Sequence, residues 1–205
     1  MEIGIPRERK PEERRVALVP EAVTDLVRAG HIVHVEAGAG LGSGYADADF
    51  EVAGASLAPS AEALYARSRL IVKVKEPIAE EYDFFRPDHW LFSFLHLAAV
   101  PDLAEFLTQS GVTALAFETL EDGAGGLPLL APMSAIAGKV AAQYAITLLH
   151  APNGGRGLML GGAIGTERGH AVVLGAGVVG GHAASLLSAV GARVDVFDLN
   201  LDRAD

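Results

Sequence analysis

Short apolar runs alternate with amphipathic segments along residues 1–130. Helices are predicted between the runs, one beginning at Pro20 and ending before Gly30 and another beginning at Pro101. Five runs have the length and apolar character of β-strands: 2–5, 31–37, 70–75, 90–96 and 112–118. Strands that are almost continuously apolar are typical of a parallel sheet covered by helices on both faces. The pattern therefore predicts an α/β fold with a doubly wound sheet.

The pattern changes after residue 130. Residues 132–150 predict one long alanine-rich helix that is apolar on all sides, so we expect it to pack between domains or between subunits. Residues 153–169 contain seven glycines and predict a mobile connector or lid. A second strand–helix–strand unit begins at about His170.

The second unit contains the pattern of a dinucleotide-binding loop. Gly175, Gly177 and Gly180 form G-x-G-x-x-G, a weak signal alone, but here it lies between an apolar strand and a helix. In such loops the first glycine permits the turn, the second lets a pyrophosphate approach the backbone, and the third lets helix and strand pack closely. The helix N-terminus holds the anion. Asp198 falls 23 residues after Gly175, where a carboxylate binds ribose hydroxyls and repels a 2′-phosphate, which favours NAD over NADP.

A nucleotide-binding domain of this kind normally has more strands than residues 170–205 can form. We therefore expect the remaining strands to lie outside this sequence. The expected organisation is an incomplete substrate domain over 1–130, a linking helix and glycine-rich connector over 131–169, and the start of a Rossmann domain over 170–205.

Three polar residues fall at predicted strand ends of the first domain. Arg15 follows the first strand, Lys75 ends the run 70–75 and His96 ends the run 90–96. Each alone is typical of a solvated or structural residue, but ligands of open α/β sheets bind outside the carboxyl ends of the strands. An arginine clamps a carboxylate, a lysine polarises a carbonyl or holds the carboxylate, and a histidine transfers a proton near neutral pH. Together they predict a site for a small keto or amino acid.

Composition narrows the function classes. The chain has 205 residues, a net charge of −10 and no cysteine, which argues against a nucleic-acid partner and excludes thiolate catalysis. We assign no metal ligand. The charged run RERKPEERR (7–15) is typical of a solvated loop, because acids separate its bases. No apolar run is long enough to span a membrane and the N-terminus lacks the order of a signal peptide, so we expect a soluble, cytoplasmic protein without a membrane partner.

The chain resembles the alanine dehydrogenase and pyridine nucleotide transhydrogenase family. The resemblance spans residues 3–200 and is carried by the segments GIPRE, ERRVALVP, EAGAGLGSGYADADFEVAGA, IVKVKEP, FLHLA, LPLLAPMS, NGGRG and VVLGAGVVG. It implies that Arg15 and Lys75 bind the substrate and that His96 is a catalytic acid/base, with Lys75 also at the reacting centre. Met133 would pack near the substrate, and Ser134 would contact the cofactor phosphates.

The resemblance also implies a reaction. L-alanine, NAD and water give pyruvate, ammonium and NADH reversibly, with Asp198 and the nearby basic residue Arg203 at the adenosine ribose. A second acid/base, an aspartate in the family, would lie beyond residue 205. The family is also typically homo-oligomeric, often hexameric.

Two other functions stay open. The first is the NAD(H)-binding subunit of a proton-translocating transhydrogenase, against which Lys75 argues, because that branch usually carries glutamine there. The second is an NAD-binding module without turnover, either a fragment or a decayed paralogue.

Overall fold

The computed structural model describes residues 1–200 and divides into two compact units, Met1–Leu120 and Glu121–Asp205. The division precedes the interval 130–170 in which the sequence places the boundary. The boundary comes early because the long helix after residue 130 packs on the helix that follows the glycine loop, and so belongs to the second unit. Within residues 1–200, no helix is both long enough and apolar enough to cross a membrane.

The first unit is built on one six-stranded parallel sheet. The strands are β1 (Glu2–Ile5), β2 (Ile32–Glu36), β3 (Ser56–Ala58), β4 (Leu70–Val72), β5 (Trp90–Ser93) and β6 (Thr113–Ala116). Their order across the sheet is β3-β2-β1-β4-β5-β6, and every neighbouring pair is parallel. This is the doubly wound order, in which the direction of winding reverses between β1 and β4. The predicted fold class is confirmed.

Four α-helices connect these strands: α1 (Pro20–Arg28), α2 (Asp47–Val52), α3 (Ala61–Arg67) and α4 (Pro101–Ser110). Pro20 and Pro101 occupy the first turns of α1 and α4, where a missing N–H costs nothing. Gly111 ends α4 with φ +73°, a conformation that favours glycine. Two apolar clusters form the core, one around Ile5, Val35 and Phe50 and the other around Tyr65 and Leu91.

The strands differ from the sequence-based expectations in two ways. The three-residue strand β3 was not expected, and the strands before Lys75 and His96 are shorter than the apolar runs. Lys75 lies three residues beyond β4 and His96 three residues beyond β5, so both belong to loops at the carboxyl edge of the sheet.

The second unit contains a β-α-β unit and a long helix. Its elements are α5 (Leu130–Leu149), β7 (His170–Leu174), α6 (Val178–Ala189) and β8 (Arg193–Phe197), with β7 and β8 parallel. Gly138 of α5 allows the close approach to α6, because a Cβ there would lie 2.1 Å from the carbonyl oxygen of Val179. Ala142, Leu187 and Ala192 are buried between these elements.

The glycine-rich segment 153–169 packs on the second unit at more than one point, and near its start the amide of Gly157 donates to the carbonyl of Leu149 in α5 at 2.9 Å. Leu160 is buried with the α5 and α6 residues of that core, and its carbonyl accepts a hydrogen bond from the amide of Gly169 at 2.9 Å. The segment is therefore held both near its start and near its middle.

Candidate functional site

The switch point of the first sheet lies between β1 and β4, where ligands of doubly wound proteins bind. The loop after β1 carries Arg15, the loop after β4 carries Lys75, and the loop after the neighbouring β5 carries His96. The three predicted residues therefore follow strands that are adjacent in the sheet.

Arg15 is held by a carboxylate of its own loop. Its Nε and one terminal nitrogen donate to the two oxygens of Glu13 at 2.8 and 2.6 Å, and the Glu13 side chain is only 8% exposed. The hydrogen bond from Arg15 lowers the pKa of Glu13, and the positive charges of Arg15 and Lys75 lower it further. Arg15 and Lys75 therefore act on the same carboxylate.

Lys75 is positioned through its backbone. Glu8, from the loop after β1, accepts hydrogen bonds from the amides of Val74 at 2.6 Å and Lys75 at 3.2 Å. The Glu8 side chain is 2% exposed and lies 3.6 Å from the ammonium of Lys73. Burial raises the pKa of Glu8, although Lys73 and the two amide hydrogen bonds oppose the shift.

His96 is exposed and has an uncommon backbone conformation. Its φ is +49°, in the left-handed region, where a residue other than glycine costs conformational energy. Glu118 compensates, because its carboxylate accepts the amide of His96 at 2.7 Å and that of Leu95 at 3.1 and 3.2 Å. The Phe94 ring stacks on the imidazole, with centroids 5.9 Å apart. The loop thus presents the imidazole at the sheet edge.

Glu76 brings a further carboxylate to this edge. Burial alone would raise the pKa of Glu76, but its hydrogen bond from Lys10 and the nearby charges of Lys10 and His96 leave the pKa lowered. His96 and Lys75 are therefore both within electrostatic range of carboxylates on these loops.

These carboxylates are candidate functional residues that the sequence patterns did not predict. Glu8 and Glu13 lie in the run 7–15, which was expected to be a solvated loop, and for both of them that expectation is wrong. Only part of the run fits it, since Glu12 and Arg14 are exposed. The alternation of acids and bases in this run could have indicated buried carboxylates, because it permits ion pairs such as Arg15 with Glu13.

The glycine loop of the second unit has three different local requirements. Gly175 has φ +99°, which favours glycine. Gly177 caps the N-terminus of α6, and a Cβ there would meet no atom within 4 Å, which leaves open space at the helix end. At Gly180 a Cβ would lie 1.7 Å from the carbonyl oxygen of Gly175, so no larger residue fits. These are the three requirements of a pyrophosphate-binding turn.

Open grooves surround this loop. One of about 490 Å³ is lined by Ser134 together with Gly175, Gly177 and Gly180. A second, of about 530 Å³, is lined by Gly175 and Asp198. The Asp198 carboxylate follows β8 and accepts the amide of Ala176 at 2.6 Å, which ties it to the loop. The residues present fit a dinucleotide.

One predicted site residue, Met133, lies on a helix and not on the loops described above, and another, Arg203, has no described position. Met133 is half-buried in the first turn of α5, in the second unit, next to Ser134. Arg203 lies outside the described residues.

The strand order of the first sheet defines an α/β protein of the doubly wound class, and the glycine loop before α6 has the form of a dinucleotide-binding turn. Comparison with known families agrees. The family described as "Alanine dehydrogenase/PNT, N-terminal domain" matches residues 4–137, and "Alanine dehydrogenase/PNT, C-terminal domain" matches residues 141–205. The chain belongs to the alanine dehydrogenase/PNT family, which confirms the resemblance inferred from the sequence.

Individual relatives cover this chain almost completely. Alanine dehydrogenase of Mycobacterium tuberculosis is 48% identical over 99% of this chain and 55% of its own length, and that of Bacillus subtilis is 47% identical over 99% and 53%. A solved L-alanine dehydrogenase matches with a TM-score of 0.92 at 48% identity, covering 99% of this chain and 56% of that one. A transhydrogenase from Sinorhizobium meliloti matches with a TM-score of 0.81 at 28% identity, covering 99% and 60%. The chain spans about half the length of the curated relatives it matches.

Proposed function

We propose that this chain is part of an NAD-dependent alanine dehydrogenase, which converts L-alanine, NAD and water reversibly to pyruvate, ammonium and NADH. The observation that carries the proposal is the electrostatic grouping of Arg15 and Lys75 around Glu13 at the sheet's switch point, with His96 on the neighbouring loop. Membership of the alanine dehydrogenase/PNT family supports it.

In this proposal the substrate carboxylate binds Arg15, whose planar guanidinium suits bidentate contact. Lys75 contributes a second cation, which stabilises the carboxylate and polarises the carbonyl oxygen of pyruvate. His96 transfers protons as ammonia adds to the carbonyl carbon and water leaves, and in the reverse direction. Met133 stays a predicted substrate-binding residue, as the family resemblance implies.

The cofactor residues of the proposal are Ser134, Asp198, Arg203 and the three glycines of the loop. The amides at the α6 N-terminus bind the pyrophosphate, Ser134 binds a phosphate oxygen and Asp198 binds the ribose hydroxyls. When bound, NAD supplies the nicotinamide that accepts a hydride from the α-carbon of L-alanine. Asp198 repels a 2′-phosphate, so NAD is preferred over NADP.

A homo-oligomer, a hexamer by family resemblance, and a cytoplasmic location stay predictions. One observation favours self-association: four large apolar side chains at every fourth position of α5 are exposed, namely Ile136, Val140, Tyr144 and Leu148. Such a stripe is typical of a helix that packs against another surface.

The test is NADH formation, followed by absorbance, when L-alanine and NAD are added to the full-length protein. The proposal expects turnover with L-alanine, little with D-alanine, and much less with NADP. NADH-dependent transfer to a second nucleotide without alanine turnover would favour the transhydrogenase subunit instead. Tight NADH binding with no turnover of either kind would favour a non-catalytic NAD-binding module.

A further inference from the structure

A buried carboxylate joins the two loops at the switch point. Glu8 follows β1, and its oxygens accept the amides of Val74 and Lys75, 66 and 67 residues further along the chain. Both amides lie beyond the end of β4, where the sheet no longer supplies hydrogen bonds to Lys75. The backbone at Lys75 therefore depends on a side chain for its register.

Burial of the Glu8 carboxylate reduces the stability of the fold, because a charged group loses its hydration there. Glu8, Lys73 and Glu81 form a buried group in which two carboxylates share one ammonium, at 3.6 and 2.7 Å from its nitrogen. All three side chains are at most 2% exposed. Burying unequal charges opposes folding, and buried groups of this kind concentrate at functional sites.

We propose that Glu8 is a positioning residue of the substrate site, which fixes Lys75 by holding the amides of residues 74 and 75. The inference rests on the proposed function, because it assigns Lys75 to the substrate. It adds a residue that touches neither substrate nor cofactor and acts through the backbone of Lys75, while its charge also contributes to the raised pKa of Arg15.

The chemistry of the contact explains why a carboxylate is needed. Both Glu8 oxygens accept an N–H, whereas a glutamine would offer one oxygen and one NH₂ group, and the NH₂ would face an amide that also donates. One amide would lose its partner, so the loop would shift. A displacement of about 1 Å at a substrate-binding group can cost roughly 100-fold in rate.

Glu81 provides a matched control. It is equally buried and binds the same Lys73, at 2.7 Å, and its other oxygen also accepts a backbone amide, that of Ile78 at 3.1 Å. Glu8→Gln and Glu81→Gln therefore remove the same charge from the same buried group. Only the first removes a contact with Lys75.

The experiment measures initial rates of NADH oxidation with pyruvate and ammonium in the full-length protein, and the melting temperature of each variant. We expect Glu8→Gln to raise the KM for pyruvate at least about tenfold while the KM for NADH stays within about twofold. Glu81→Gln is expected to lower the melting temperature but to leave both KM values within about twofold. A general structural defect would move both KM values together.

Two results would overturn the proposal. One is a pyruvate KM in Glu8→Gln within twofold of wild type, and the other is an equal rise in Glu81→Gln. If Glu8→Gln does not fold, Glu8→Asp keeps the charge but is one methylene too short to reach both amides. The Glu8→Asp variant must therefore also raise the KM for pyruvate, and an unchanged KM in this variant overturns the proposal. An inactive wild type would overturn the proposed function as well, whereas an active wild type with unchanged Glu8 variants would overturn only this inference.

Discussion

Replacement of Gly180 by alanine tests the close packing of α6 on the glycine loop. The added methyl carbon would lie 1.7 Å from the carbonyl oxygen of Gly175, and this backbone atom cannot rotate away. Ordinary van der Waals contact begins at 3.4 Å, so the start of α6 must move by about 1.7 Å. Overpacking of this kind costs about 1–3 kcal/mol. A loss of this size lowers the melting temperature by roughly 2 °C or more.

Gly177→Ala is the matched comparison, because its new methyl group would meet no atom within 4 Å. The fold should tolerate it, with a melting temperature within about 2 °C of wild type. The methyl group would instead occupy the open space at the helix N-terminus where the pyrophosphate must approach. Loss of one or two charge-assisted hydrogen bonds, each about 1.5–3 kcal/mol, weakens NADH binding by at least about tenfold.

The assay combines thermal unfolding with titration of NADH fluorescence for each variant. Gly180→Ala should lose both stability and NADH affinity, and Gly177→Ala should lose only affinity. Gly181→Ala, with its nearest atom at an ordinary 3.9 Å, should be at least as stable as wild type because alanine favours helix. Full NADH affinity in Gly177→Ala, or an unchanged melting temperature in Gly180→Ala, would refute this account of the loop.

Three further predictions concern single side chains. Asp198→Ser should reduce the preference for NADH over NADPH by about tenfold, measured as the ratio of the two dissociation constants; an unchanged ratio would remove Asp198 from the ribose site. His96→Ala should lower kcat/KM for pyruvate by about 100-fold or more, whereas His31→Ala, at the amino end of β2 and so at the opposite edge of the sheet, should leave it unchanged. Equal rates in the two variants would contradict the role of His96. Arg15→Met should destabilise the protein at pH 7, and progressively less as the pH falls below 4.5. The Arg15 hydrogen bond lowers the folded-state pKa of Glu13, so its stabilisation is present above the ordinary value of 4.5 and is lost as pH falls through the folded pKa. A melting-temperature difference that does not change over this pH range would exclude this pairing.

The sequence predicted the regular elements of the fold well, because their signals are local. The prolines that start α1 and α4 and the apolar runs of β1 and β2 act within a few residues. The strand β3 gave no such signal, since three residues at the sheet edge are too few to show a period.

The strand ends were predicted too far along the chain for a non-local reason. Beyond β4 the amides of Val74 and Lys75 pair with Glu8, and beyond β5 the amide of His96 pairs with Glu118, and both carboxylates come from other segments of the chain. Apolar periodicity carries no information about such partners. For the same reason the carboxylates that contact Arg15 and Lys75 were not predicted, since the run 7–15 that contains them has the composition of an exposed loop.

The central claim is that Arg15 and Lys75 bind the carboxylate end of a small 2-oxo acid while His96 faces its carbonyl group. A crystal structure of the protein with pyruvate tests this most directly. The account predicts the pyruvate carboxylate within hydrogen-bond distance of the Arg15 guanidinium and the Lys75 ammonium, at the carboxyl edge of β1 and β4. Pyruvate bound at another surface, with these side chains untouched, would contradict it.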